Sequence, residues 1–142
     1  MAPPRPAAVK AASAFHAFLY RATRGRLGRR LAHHDVLLLT TVGRASGRPH
    51  TVPLLYLHAG GGYAVIASYG GHPRHPDWYR NLAAHPRAEV QVAGRRFAVT
   101  ARDAEAAERE RLWARAVAEY PGYTRYQERT ARLIPVVLLQ PC

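Results

Sequence analysis

Apolar positions along the chain gather into short runs separated by turn residues. Val36 to Val42 is continuously apolar or β-branched and is closed by Gly43, which predicts a strand buried on both faces. Thr51 to His58 predicts a second strand, and Gly60-Gly61-Gly62 turns it into a third over Tyr63 to Ser68. Ala88 to Val92 alternates, with Val90 and Val92 on one face and Glu89 and Gln91 on the other, and Gly94 turns it into a strand over Arg95 to Arg102. Ile134 to Leu139 closes the chain as an apolar, β-branched strand.

Helical spacing intervenes between these runs. Asp77 to Ala84 predicts a short helix, ended by His85-Pro86 because a residue before proline is driven out of the α region. Asp103 is a candidate N-cap for a helix over Ala104 to Glu119, whose Leu112, Trp113, Ala116 and Val117 share one stripe. Pro121 breaks that helix and opens another containing Tyr123 and Tyr126. Six mostly antiparallel strands, with helices in only a few connections, predict a mainly β (α+β) fold. Its form is a small closed or half-open barrel with peripheral helices rather than a doubly wound sheet. No Gly-x-Gly-x-x-Gly follows a strand, which disfavours a dinucleotide fold.

The 142 residues suffice for one core, with 48% hydrophobic and 21% charged residues as in globular chains. The formal charge of +12 changes the picture because it is unevenly placed. Residues 1–34 carry seven basic groups and no acid, and the other 108 carry 14 basic and 9 acidic groups, so the division is +7 and +5. The expected organisation is a basic arm over residues 1–34 and a barrel domain over 35–142. In the arm, Val9, Ala12, Phe15, Phe18, Leu19 and Ala22 recur at helical spacing before an Arg-rich run to Arg30. Residues 9–30 therefore fit either a helix lying on an anionic membrane surface or one packed over the domain.

Other classes are excluded. A stretch of about 18 apolar residues is needed to span a membrane, and neither that nor a secretory signal is present, so the expected location is cytoplasmic. Arg outnumbers Lys by 20 to 1 throughout, so each arginine needs its own argument. No nucleic acid is expected, since no basic and aromatic face and no helix-turn-helix or zinc-finger pattern exists. Cys142 stands alone, and His33-His34, His72 and His75 lack acidic or cysteine partners, so no metal is expected. No Gly-x-Ser-x-Gly is present to carry hydrolysis.

Four segments carry candidate chemistry. Thr40 to His50 is a turn holding Arg44, Ser46, Gly47 and Arg48, with the N–H groups, hydroxyl and guanidiniums that hold a phosphate or carboxylate. An ordinary solvated hairpin is the alternative. Ser68-Tyr69-Gly70-Gly71-His72-Pro73 has small residues that let a flat ring approach the backbone. Trp78 and Leu82 lie one turn apart, as a core face also requires. Tyr120, Tyr123 and Tyr126 place three phenols on one volume, or simply pack there.

Taken in order, Leu39-Thr40-Thr41-Val42-Gly43-Arg44, Ser46-Gly47, Pro49, Pro53-Leu54, Ala67-Ser68, Gly70-Gly71, Pro76, Trp78-Tyr79, Asn81-Leu82, Pro86, Thr100-Ala101-Arg102, Tyr120-Pro121, Tyr123, Tyr126 and Ile134-Pro135-Val136-Val137 resemble the deazaflavin-dependent nitroreductase family over residues 36–141. The resemblance implies a split β-barrel of the flavin-reductase-like type that binds coenzyme F-420, an 8-hydroxy-5-deazaflavin with a phosphate and oligoglutamate tail. It implies hydride transfer to a quinone, activated alkene or nitro-aromatic acceptor. Arg44, Ser46 and His50 would face the tail, from the turn that also holds Gly47 and Arg48. Pro53, Ala67 and Ser68 would line the ring, in company with Tyr69, Gly70 and Gly71. Pro76, Trp78 and Asn81 would close the groove, and Tyr56, Tyr120, Tyr123 and Tyr126 would surround the substrate. Some relatives carry Lys, Lys and Arg where this chain has Ala45, Tyr69 and His50. The alternatives are FMN in the same barrel and a non-enzymatic carrier of a deazaflavin or lipophilic ligand. A homodimer is compatible with such barrels.

Overall fold

The computed structural model describes residues 30–31 and 34–142, with side chains from Val36 onward. The predicted arm helix over residues 9–30 lies outside the described residues, apart from Arg30. In chain order the strands are β1 (Arg30–Leu31), β2 (His34–Val42), β3 (Pro49–Leu55), β4 (Leu57–Ala59), β5 (Gly62–Ile66), β6 (Arg87–Val92), β7 (Arg95–Asp103) and β8 (Val136–Pro141). Helix α1 (Asp77–Ala84) precedes β6, and α2 (Ala106–Glu119) and α3 (Gly122–Glu128) lie between β7 and β8.

The described strands form one antiparallel sheet in the order β1-β2-β6-β7-β8-β5-β4, with β3 also paired to β2. β3 and β4 thus lie at opposite ends of the sheet, yet only Tyr56 separates them in the chain. The sheet is therefore curled into a half-barrel whose two edges belong to one continuous segment. This corrects the expected count of six strands, since seven are present beside the two-residue β1. The predicted strand over Thr51 to His58 is two: Leu55 pairs with Val36 of β2, whereas Leu57 pairs with Ala64 of β5.

Both faces of β5 and β8 are covered, which is why they read as unbroken apolar runs. Val65, Val137 and Leu139 face inward with Leu37 and Leu39 of β2, Val90 of β6, Val99 of β7, and Trp78 and Leu82 of α1. Ala64, Ile66, Val136 and Leu138 face outward against Leu112 and Ala116 of α2 and Tyr123 of α3. Leu37 and Leu39 are fully buried, each stabilising the fold by about 1.5–3 kcal/mol relative to exposure.

Helix α1 has its predicted bounds, entered from Pro76 and ended at an extended His85. Helix α2 does not begin at Asp103. β7 continues to Asp103, which pairs with Val137, and the Ala104 N–H donates to Val136 O at 2.8 Å. Glu105 is the residue at the N-cap. Asp103 accepts instead from the Tyr79 hydroxyl at 2.7 Å.

Candidate functional site

The turn between β2 and β3 is held by its own backbone. Gly43 N–H donates to Arg48 O and Gly47 N–H to Gly43 O, both at 2.8 Å, and Arg48 N–H donates to Ser46 Oγ at 3.1 Å. Arg44 N–H donates to Asn81 Oδ1 at 3.2 Å. These four N–H groups are thus engaged within the protein, and what the turn offers an anion is mainly side chain. Ser46 Oγ lies 3.4 Å from His50 Nε2, and the exposed Arg48 adds a guanidinium.

Helix α1 fixes the strongest of these donors. Asn81 is buried and its amide serves two masters: Nδ2 donates to Thr41 Oγ1 at 3.1 Å, while Oδ1 accepts from Arg44 Nη1 at 2.8 Å. Arg44 Nη2 also meets Asp77 Oδ1 at 3.3 Å. A guanidinium presents five donors in a rigid fork, so an arginine oriented by Asn81 still presents an edge. Its side chain keeps 31% exposure. Trp78 points into the inner core and Pro76 is buried at the helix entry, its carbonyl accepting from the N–H groups of Tyr79 and Arg80. Those two residues shape the helix and its docking.

The loop after β5 leads into α1. Ala67 is fully buried, and Tyr69, Gly70 and Gly71 all have positive φ, at 48°, 62° and 79°. Arg132 grips this loop: Nη1 donates to Ala67 O at 3.1 Å, Nη2 to Ser68 O at 2.7 Å and Nε to His72 O at 2.9 Å. Nη1 also lies 3.2 Å from His75 Nδ1. Desolvation, then the Arg132 charge, lowers the His75 pKa, so the imidazole is a neutral acceptor. The His75 ring meets that of Tyr79 of α1 at a tilt of 49°, with centroids 4.7 Å apart. Turn, helix and loop are one connected structure. Sequence reasoning missed Arg132, Arg129 and the Tyr79–Asp103 bond. A charged residue abutting a buried strand was the available signal, faint in a chain with 20 arginines.

The three phenols do converge. Tyr120 and Tyr126 hydroxyls are 2.9 Å apart, and the Tyr120 and Tyr123 rings meet edge to face at 5.1 Å. Tyr123 is buried against Trp113, and burial pushes its pKa well above the ordinary tyrosine value. Tyr126 is pushed up to about 12, first by burial and then by the bond to Tyr120. Both stay protonated at neutral pH. One phenol of the Tyr120–Tyr126 pair donates and the other accepts. Tyr56 is not among them: it packs on the inner cluster beside His58 and Tyr63, with centroids at 5.5 and 5.1 Å. Pro53 lies in β3 opposite Leu38.

Among the described residues no three His, Cys, Asp or Glu side chains gather as a metal site, and no helix is long and apolar enough to cross a membrane.

Comparison with known proteins decides the family. The model of the F420H(2)-dependent quinone reductase family matches residues 13–141. The chain belongs to this family. An F420H(2)-dependent quinone reductase of Mycobacterium tuberculosis strain H37Rv is 43% identical to it over 129 residues, 87% of this chain and 86% of the relative. A solved F420-H2 dependent reductase, 44% identical, superposes with a TM-score of 0.68 over 74% of this chain and 93% of its own. Another solved relative, a domain-swapped dimer, is 39% identical with a TM-score of 0.71, covering 89% of this chain and 94% of its own.

Proposed function

We propose that this chain is an oxidoreductase that reduces a quinone with a hydride from reduced coenzyme F-420, the curled sheet serving as a split β-barrel of the flavin-reductase-like type. The observation that carries the reading is the family match over nearly the whole chain. The donor set fits the anionic tail of that cofactor. Arg44, Arg48, Ser46 and His50 gather in one exposed turn, and Asp77, already paired to Arg44, is the acid beside them. Forked guanidiniums suit phosphate and carboxylate oxygens. Ser68, Tyr69 and Gly70, the partly exposed residues of the loop after β5, would line the ring, with the small Gly70 leaving its backbone approachable.

When bound, the reduced deazaflavin supplies the hydride. The protein's part is to hold ring and quinone together and to stabilise charge. As the quinone oxygen gains negative charge, the Tyr126 hydroxyl, protonated at neutral pH, donates to that oxygen. FMN and a non-enzymatic carrier are not favoured, since the relatives are named for a reduced deazaflavin and for quinone reduction. The dimeric relative supports self-association as a property of the family.

The test is a steady-state assay in which purified protein is mixed with reduced coenzyme F-420 and a soluble quinone. Oxidation of the deazaflavin should require both protein and quinone. Equal or faster turnover with reduced FMN would overturn the assignment.

A further inference from the structure

Arg132 is not among the residues that line the proposed cofactor site, yet more of that site hangs on it than on any residue within the loop. Its three guanidinium nitrogens donate to three carbonyls of one loop, those of Ala67, Ser68 and His72, at 2.7 to 3.1 Å. The fourth contact, to His75 Nδ1 at 3.2 Å, ties the end of the loop to the approach of α1. The loop needs such a tether. Tyr69, Gly70 and Gly71 follow one another in the left-handed region, and Tyr69 does so while carrying a side chain. The loop also rests on the C-terminal end of α3. Arg129 Nη1 donates to Gly70 O at 3.3 Å, and a Cβ at Gly71 would meet Tyr126 O at 2.7 Å and Arg129 Cβ at 3.0 Å.

We infer that Arg132 is a positioning residue for the cofactor ring, holding the Ala67–His75 loop in its strained path. The inference rests on the proposed F-420 reading of that loop. Lysine does not replace it, since a single ammonium on a flexible stem cannot span carbonyls separated along the loop as a planar fork does. The tyrosines reach their positions through helix packing and the Tyr120–Tyr126 bond, so loosening the loop should act on the cofactor before the quinone.

The test compares the wild type with Arg132→Lys, using fluorescence titration with oxidised coenzyme F-420, steady-state quinone reduction and amide hydrogen exchange. In the folded variant, Kd for the deazaflavin should rise about tenfold or more. The quinone KM at saturating cofactor should stay within about twofold. Exchange should quicken at Tyr69 to His72 more than elsewhere. His75→Phe, which removes the Arg132 contact at the end of the loop and keeps a ring against Tyr79, should show the same split in smaller measure and decides the matter if Arg132→Lys does not fold. A folded Arg132→Lys protein that binds F-420 as tightly as the wild type, or that exchanges faster uniformly, would overturn the role of Arg132 and leave the cofactor reading standing. A wild type that binds no F-420 would overturn the reading beneath it.

Discussion

Tyr126 shows how one side chain carries packing and chemistry together. Its ring packs with Tyr123 and under the Arg129 guanidinium, 5.5 Å from the centroid, while its hydroxyl meets that of Tyr120. Tyr126→Phe keeps the packing and removes the hydroxyl. Turnover should fall roughly 10- to 100-fold, as when one oxyanion donor is lost, with F-420 affinity nearly unchanged. Steady-state kinetics and a fluorescence titration check both. Since Tyr126 titrates only near 12, its ionisation adds no pH dependence below pH 9.

His75 does impose one, on stability. Desolvation and Arg132, then Arg80, lower its pKa below 6.5, with Asp103 opposing. Tyr79 meets the same ring at a tilt and stays neutral, its own pKa raised to about 12 by burial and Asp103. Below pH 6.5 the unfolded chain takes up a proton that the folded chain resists, so stability falls as pH drops from 6.5 through the lowered value. Denaturant midpoints at pH 7.5 and 5.5 should show this loss, and His75→Gln should shrink it.

Among the elements, the β5–β8 pair is the most constrained. Gly62 opens β5 directly against Leu139 and Gln140 of β8, and a Cβ there would collide with the Leu139 carbonyl. Gly62→Ala should cost about 1–3 kcal/mol, the usual range for overpacking, read by urea denaturation. This element was legible in the sequence, as were β2, α1 and the β6–β7 hairpin, because burial on two faces, flanking prolines and strict alternation are local signals. The start of α2 was not. Asp103 has N-cap chemistry, but its backbone pairs with Val137 and its carboxylate is taken by Tyr79, and both partners are distant in sequence. Arg132 escaped for the same reason, since its carbonyl partners lie about 60 residues away. The turn, the loop and the three phenols could be singled out as candidates because their chemistry is contiguous in the chain. The resemblance set Tyr56 around the substrate with the three phenols; in the folded chain it packs against the inner cluster and they pack against the outer one.

At the scale of the whole molecule, closure rests on the segment that leaves β2 as β3 and reaches β5 as β4. No local pattern marks the change at Tyr56, because which partner a strand finds depends on the whole sheet. Charge also acts at this scale. The net +12 attracts any polyanion from a distance, and among the described residues the turn around Arg44 offers a directed donor set for a tail. In the proposed complex this turn holds the phosphate and glutamyl tail. The most direct measurement is a fluorescence titration with coenzyme F-420 and with the 8-hydroxy-5-deazaflavin ring lacking that tail, at low and high salt. Intact F-420 should bind at least about tenfold more tightly at low salt and lose that advantage as salt screens the contacts. Equal affinity for both compounds at every salt concentration would mean that the turn does not hold the tail.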